Sequence, residues 1–116
     1  MNTSEHSEQN AFSRDNLLAF FKEQNITIFL QRFIMGANAE SIHFILSALK
    51  GNFRSIIKHK NGNYFCSDLF KVCEQKQRIQ ILKEISPYLS NDCTNNFATH
   101  PIQVLIEKAS TMKNIN

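Results

Sequence analysis

A spacing of 36 residues constrains this chain more than any other feature. Displaced against itself by that step, the sequence brings its apolar positions into register without a gap: Leu17, Phe53 and Leu89; Phe21, Ile57 and Cys93; Leu30, Cys66 and Ile102; Phe33, Leu69 and Leu105; Ile34, Phe70 and Ile106. Ala37, Cys73 and Ala109 share a column of small residues, and Ile45, Leu46 and Leu49 fall on Ile81, Leu82 and Ile85. One such coincidence carries little. A whole set of columns at a single offset reads as an array of one supersecondary unit, each too small to bury its apolar face alone. An array repeats equivalent surface positions at regular intervals, which suits an elongated partner better than a small substrate.

The spacing of the apolar residues within each unit is helical. Leu17, Leu18 and Phe21 share one face of a short helix, Leu30, Phe33 and Ile34 form a stripe on a second, and Ile42, Ile45, Leu46 and Leu49 line a third. Gly36 closes the second helix, and Gly51 with Asn52 breaks the chain after the third. The pattern then recurs, with Asn61-Gly62 as a turn and Pro87 opening the next short helix. The helices predicted are 15–23, 27–36, 39–50, 52–60, 63–73, 75–86, 88–95 and 99–111, in a short–medium–long order. Glu74 and Arg78, four apart, form a weak helical pair. Residues 1–13, polar and without period, read as a disordered tail, and 14–116 as the array. The fold class expected is all-α, a right-handed α-solenoid of about two and a half three-helix repeats.

Only three Gly and two Pro in 116 residues suit continuous helix, and 42% hydrophobic with 20% charged residues is a globular composition. The net charge of +3 permits a polyanionic partner without demanding one. The charge is uneven: Lys50, Arg54, Lys58 and Lys60 lie in a stretch free of acids, read either as a solvated helix face or as a phosphate-facing edge. Cys66, Cys73 and Cys93 form no CxxC pair and occupy columns otherwise apolar or small, so they read as small buried residues of a reducing compartment. His6, His43, His59 and His100 supply no metal-ligand spacing, and no metal or other cofactor is expected. No signal-peptide core and no membrane-spanning run is present, so the default location is the cytoplasm or nucleus. No GxSxG, phosphate-cradling loop or HExxH occurs, and no carboxylate pair is brought together by the repeat plan, which argues against an enzyme.

Several segments carry a family resemblance. Asn61-Gly62-Asn63-Tyr64-Phe65-Cys66-Ser67-Asp68-Leu69-Phe70 is similar to the NGNYxxQxLF-like segment of Pumilio (PUF) repeats. Phe97-Ala98-Thr99-His100-Pro101-Ile102-Gln103-Val104-Leu105-Ile106-Glu107 resembles a FASxxIQxLIE-like second helix, Phe29-Leu30-Gln31-Arg32 an FLQR-like segment, and Gln77-Arg78-Ile79-Gln80-Ile81-Leu82 a third-helix start. The resemblance runs from about Arg14 to the C-terminus, and the 36-residue, three-helix unit is similar to that of the family.

The resemblance implies a single-stranded RNA-binding module that reads one base per repeat from the second helix, in post-transcriptional and translational regulation of mRNA through 3′ untranslated regions. Carried onto this chain, the base-edge pairs are Thr27 with Gln31, Asn63 with Ser67, and Thr99 with Gln103, and the base-stacking residues are Ile28, Tyr64 and His100. Arg32, Lys58 and Lys60 are the phosphate candidates, and protein cofactors would bind the convex face. The chemistry agrees with the roles: an i, i+4 pair places two polar tips on one helix face, Gln offers both donor and acceptor, and flat rings stack on bases. The sequence departs from the pattern at Ser67, shorter than the usual Gln or Glu, at Ile28, which has no ring, and at Asp68, an acid where Arg32 stands one unit earlier.

Two other readings stand beside this one. Thr27, Asn63 and Thr99 are good helix N-caps whatever the function, with Gln31, Ser67 and Gln103 plain polar residues. An α-solenoid of this kind also serves as a protein-interaction surface, like HEAT or armadillo arrays or a PUF-derived scaffold without RNA reading. An array of under three units reads at most three bases, so specificity requires further repeats, a second copy or a partner.

Overall fold

A computed structural model describes residues 14–110, and every regular element among them is a helix. In chain order these are α1 (Arg14–Phe20), α2 (Gln24–Met35), α3 (Ala39–Leu49), α4 (Phe53–Ile57), α5 (Gly62–Val72), α6 (Gln75–Ile85), a 3₁₀ turn (Ser86–Tyr88), α7 (Leu89–Asp92) and α8 (Thr99–Ser110). A short helix followed by two of nearly equal length occurs twice, and a short helix and a longer one follow. The short–medium–long gradation is not seen: α2 has 12 residues and α3 has 11, as do α5 and α6. The expected tail, residues 1–13, lies outside the described residues.

Local chemistry sets the boundaries. Helix α2 starts three residues before the sequence suggests. Glu23 occupies the N-cap, and the Thr27 hydroxyl, already inside the helix, donates back to the Glu23 carbonyl at 3.4 Å. Asn38 caps α3 by accepting from the Ser41 N–H at 2.8 Å. Gly51, at φ +87°, makes the turn after α3 in a conformation that disfavours a side chain. The N-terminus of α4 is capped from a distance: Glu84 on α6 accepts the N–H groups of Gly51 at 2.9 Å and Phe53 at 3.0 Å. Gly62 is the first residue of α5 rather than part of a free turn. A Cβ there would lie 2.7 Å from the Ile56 carbonyl oxygen, so the close packing of α4 on α5 needs glycine.

Arg78 does not pair with Glu74. Its guanidinium reaches the end of α5, donating to the carbonyls of Phe70 at 2.7 Å and Lys71 at 2.8 Å. These orphan carbonyls attract a cation more strongly than an exposed carboxylate one turn away.

Helix α5 is the centre of the molecule, packed against α2 on one side and α8 on the other, while α6 also contacts α8. The core holds Ile34, Phe53, Ile56, Ile57, Cys66, Leu69, Phe70, Ile85 and Leu105. Three column members depart from the expected burial. Ile34 and Phe70 are buried, but Ile106 is 44% exposed. Leu69 and Leu105 are buried, but Phe33 is 48% exposed, on the side of α2 that α5 does not cover. Phe21 and Ile57 are buried, but Cys93, at the C-terminal end of the single-turn α7, is exposed. Equal sequence does not give equal environment at the two ends of a stack.

Candidate nucleic-acid interface

The three segments that resemble base-reading helices are α2, α5 and α8, which are neighbours in that order. Ile28, Tyr64 and His100 occupy the same position of each, and all three are exposed. Tyr64 is 57% exposed, with the flat face of a phenol available to a partner.

The edge residues divide into two groups. Thr99 and Gln103 of α8 are exposed. The Thr99 hydroxyl lies 2.6 Å from the Asn95 carbonyl and 3.0 Å from that of Cys93, so its one proton is donated to the loop that leads into α8. Its oxygen lone pairs stay open to a partner. Asn63 and Ser67 of α5, in contrast, are buried. Asn63 Nδ2 donates to the carbonyls of His59 and Lys60, each at 2.9 Å, and Ser67 Oγ donates to the Asn63 carbonyl at 2.9 Å. Asn63 therefore does not present its amide to a partner as a base-edge role requires: the amide is used in closing the turn before α5. Thr27 is also buried. Gln31, half-buried, donates from Nε2 to Asp68 Oδ2 at 2.7 Å.

The cationic residues are similarly split. Arg32 and Lys60 are exposed. Lys58 already has an acidic neighbour: its ammonium lies 3.6 Å from Asp92, whose side chain is nearly buried. Arg54 binds the same carboxylate through Nε at 2.6 Å and Nη2 at 3.2 Å, and its guanidinium lies 4.2 Å from the Tyr88 ring centroid. The basic stretch is thus free of acids only along the chain. In the fold Asp92, 38 residues beyond Arg54, offsets two of its four cations. Asp68, which interrupts the polar pattern in sequence, has its charge offset by Lys71 at 3.8 Å and serves as the acceptor for Gln31.

His59 was not singled out from the sequence, yet it organises the turn that carries Tyr64. Its Nδ1 accepts the N–H groups of Asn61 at 3.0 Å and Gly62 at 3.1 Å, while Asn61 Nδ2 donates to the Phe21 carbonyl at 2.6 Å. Partial burial lowers the imidazole pKa, and the nearby Lys60 charge lowers it further. A histidine two residues before an Asn-Gly turn is the sequence signal for such an arrangement.

Among the described residues no group of three or more His, Cys, Asp or Glu side chains could hold a metal ion. No described helix is long and apolar enough to cross a membrane.

A Pumilio domain-containing protein of Schizosaccharomyces pombe is 26% identical over 106 residues, covering 91% of this chain and 16% of that protein. Pumilio homolog 11 of Arabidopsis thaliana is 30% identical over 90 residues, covering 75% of this chain and 16% of its own length. The chain therefore spans about a sixth of the length of these curated relatives. No family model matches the chain, and no solved structure does. The all-helical fold and the two relatives together make this a Pumilio-related helical chain, consistent with an α-solenoid.

Proposed function

We propose that the chain is a non-enzymatic, single-stranded RNA-binding module of the Pumilio type, a right-handed stack of about two and a half three-helix units. The observation that carries this reading is the exposure of Tyr64 on α5, between Ile28 on α2 and His100 on α8, at one repeated position of three neighbouring helices. Bases inserted between successive members of that series would be held by ring faces at Tyr64 and His100 and by an aliphatic cap at Ile28, with stacking worth about 1–3 kcal/mol per base. Thr99 with Gln103 supplies the most open edge pair, of the combination that addresses adenine in the family. RNA would run antiparallel to the protein, so that the Gln103 base is the 5′ one. Arg32 and Lys60 would meet phosphates. By the same reading the targets are mRNA 3′ untranslated regions, the role is translational regulation in the cytoplasm or nucleus, and protein cofactors bind the convex side.

Fluorescence anisotropy with short labelled RNAs at two salt concentrations tests the reading. Tyr64→Ala should weaken binding by about 1–3 kcal/mol. Lys60→Ala should weaken it for all sequences and flatten the salt dependence. No RNA signal from a folded chain rejects the proposal.

One observation favours a second reading, a protein-interaction scaffold. The amide of Asn63 and the hydroxyl of Ser67 are consumed inside the fold, so α5 offers a stacking ring without a base-edge pair. Salt-insensitive binding to a protein in the absence of RNA binding would establish it.

A further inference from the structure

Two packing requirements place the sequence's one Asn-Gly pair at the entry to α5. Position 62 is buried and needs glycine, because a Cβ there would lie 2.7 Å from the Ile56 carbonyl oxygen. Asparagine at position 61 ties α5 to the end of α1. Its Nδ2 donates to the Phe21 carbonyl at 2.6 Å and approaches that of Lys22 at 3.4 Å. The Phe21 ring packs on Phe65 beside this tie, with centroids 5.4 Å apart.

This dipeptide carries a chemistry of its own. The Gly62 nitrogen, with no side chain to hinder it, can attack Cγ of Asn61. The nitrogen loses its proton, an N–Cγ bond forms, the Cγ–Nδ2 bond breaks, and ammonia leaves. Water then opens the resulting cyclic imide at either carbonyl, giving aspartate or isoaspartate. Asn25, the equivalent residue one unit earlier, precedes Ile26, whose branched side chain hinders the same closure.

The docked fold keeps the reacting groups on other partners. The Gly62 N–H is given to His59 Nδ1 at 3.1 Å, and the amide that must leave is held on the Phe21 carbonyl. Asn61 has helical backbone angles, φ −105° and ψ −36°. Hydrogen bonds on either side fix them, from the Asn63 N–H to the His59 carbonyl at 3.1 Å and from the Tyr64 N–H to the Asn61 carbonyl at 3.2 Å. For the Gly62 nitrogen to reach Cγ, Asn61 must rotate and let go of α1. The product cannot restore the tie. A carboxylate only accepts hydrogen bonds, and it would face the Phe21 and Lys22 carbonyl oxygens, which also only accept. Isoaspartate would in addition lengthen the backbone at the entry to α5.

We propose that Asn61 is a site of spontaneous covalent modification gated by the docking of α1 on α5. It remains an amide while the two are docked, and its conversion to aspartate or isoaspartate makes a transient opening of that contact permanent. The inference stands independently of RNA binding.

Incubation of the full chain at mildly alkaline pH, folded and in urea, tests it, with peptide mapping by mass spectrometry and enzymatic methylation of isoaspartate as readouts at Asn61. The folded chain should convert at least about tenfold more slowly, the protection given by a contact that must open locally. Phe21→Ala, which weakens the docking, should speed conversion in the folded chain and leave the rate in urea unchanged. Asn61→Asp, which installs one product directly, gives a second reading that does not depend on the folding of the first variant. Its α1 amides should exchange hydrogen faster than those of the parent chain, while Cys66 stays closed to thiol reagents. Equal conversion rates in the folded and unfolded chains overturn the proposal. So does unaltered α1 exchange in Asn61→Asp, or loss of Cys66 protection there, which would make the effect a global one.

Discussion

Arg54 on α4 and Asp92 at the end of α7 form a two-pronged ion pair, at 2.6 and 3.2 Å, that ties one short helix to the next. Lys58 joins it from one turn along α4, and Tyr88 carries the guanidinium on its ring. The hydrogen bonds from Arg54 hold the Asp92 carboxyl below its ordinary range, with the Lys58 and Arg54 charges adding to the effect against the cost of burial. A carboxyl with a depressed folded pKa contributes stability that is complete above its unfolded pKa and is lost as pH falls through the folded one. Arg54→Ala should therefore lower the melting temperature more than Lys58→Ala, since it strands a nearly buried carboxylate with one distant cation. Arg54→Lys should rescue poorly, having neither fork nor flat stacking face. In Asp92→Asn the acid-side loss of stability below about pH 4 should shrink. Thermal melts from pH 2 to 7 read all three.

The thiols should separate cleanly in reactivity. Burial pushes the Cys66 thiol far above its usual range and raises Cys73 as well, the latter against the opposing influence of Arg78. Cys93 is exposed. In dilute native protein a chromogenic disulfide reagent should titrate one thiol promptly and the other two only in denaturant. Prompt reaction of two or three would mean that α5 is not packed as described.

Much of the architecture was legible from the columns, because helical amphipathicity is a local property. Helices α3, α5 and α6 begin and end within one residue of their predicted bounds, and α8 begins at its predicted one, its predicted end at 111 lying outside the described residues. What the columns did not disclose is context. Phe33, Leu69 and Leu105 are equivalent in sequence, but burial depends on whether a neighbouring helix lies on that side, so the first is open and the others are closed. The candidate site suffers from the same gap. Tyr64 and His100 are exposed as their position suggests, whereas Asn63 and Ser67 turn inward because their short side chains find carbonyls within their own turn before they reach solvent. The Asp92 anchor was invisible because its partners lie on a different short helix.

The turn before α5 should also respond to pH. His59 accepts two backbone N–H groups through Nδ1 and favours the neutral imidazole, mainly through burial and secondarily through Lys60. Its folded pKa is lowered, so the unfolded chain binds the proton first as pH falls. The contribution to stability is complete above about pH 6.5 and declines below it until the folded pKa is passed. Denaturant melts between pH 7.5 and 5 should show this decline, and His59→Gln should remove it while lowering stability at pH 7.5. A decline of equal size in the variant would assign it to other groups.

The two kinds of edge residue make opposite predictions, which separates fold from recognition. Asn63 closes the entry to α5 with two hydrogen bonds from one amide, so Asn63→Ala should cost about 1–2 kcal/mol of stability. Gln103 is exposed on α8. Gln103→Ala should leave the melt unchanged within error, since surface substitutions away from structural contacts usually fall within about 0.5 kcal/mol. If Gln103 reads a base edge, its loss should weaken binding to an adenine-containing RNA by about threefold to tenfold, the range expected for one hydrogen bond. An RNA with a different base at the facing position should be affected less. Denaturation and anisotropy on the same preparations give both numbers. A Gln103→Ala variant that binds both RNAs as tightly as the parent chain would remove this residue from the reading surface and leave Tyr64 and His100 to act through stacking alone.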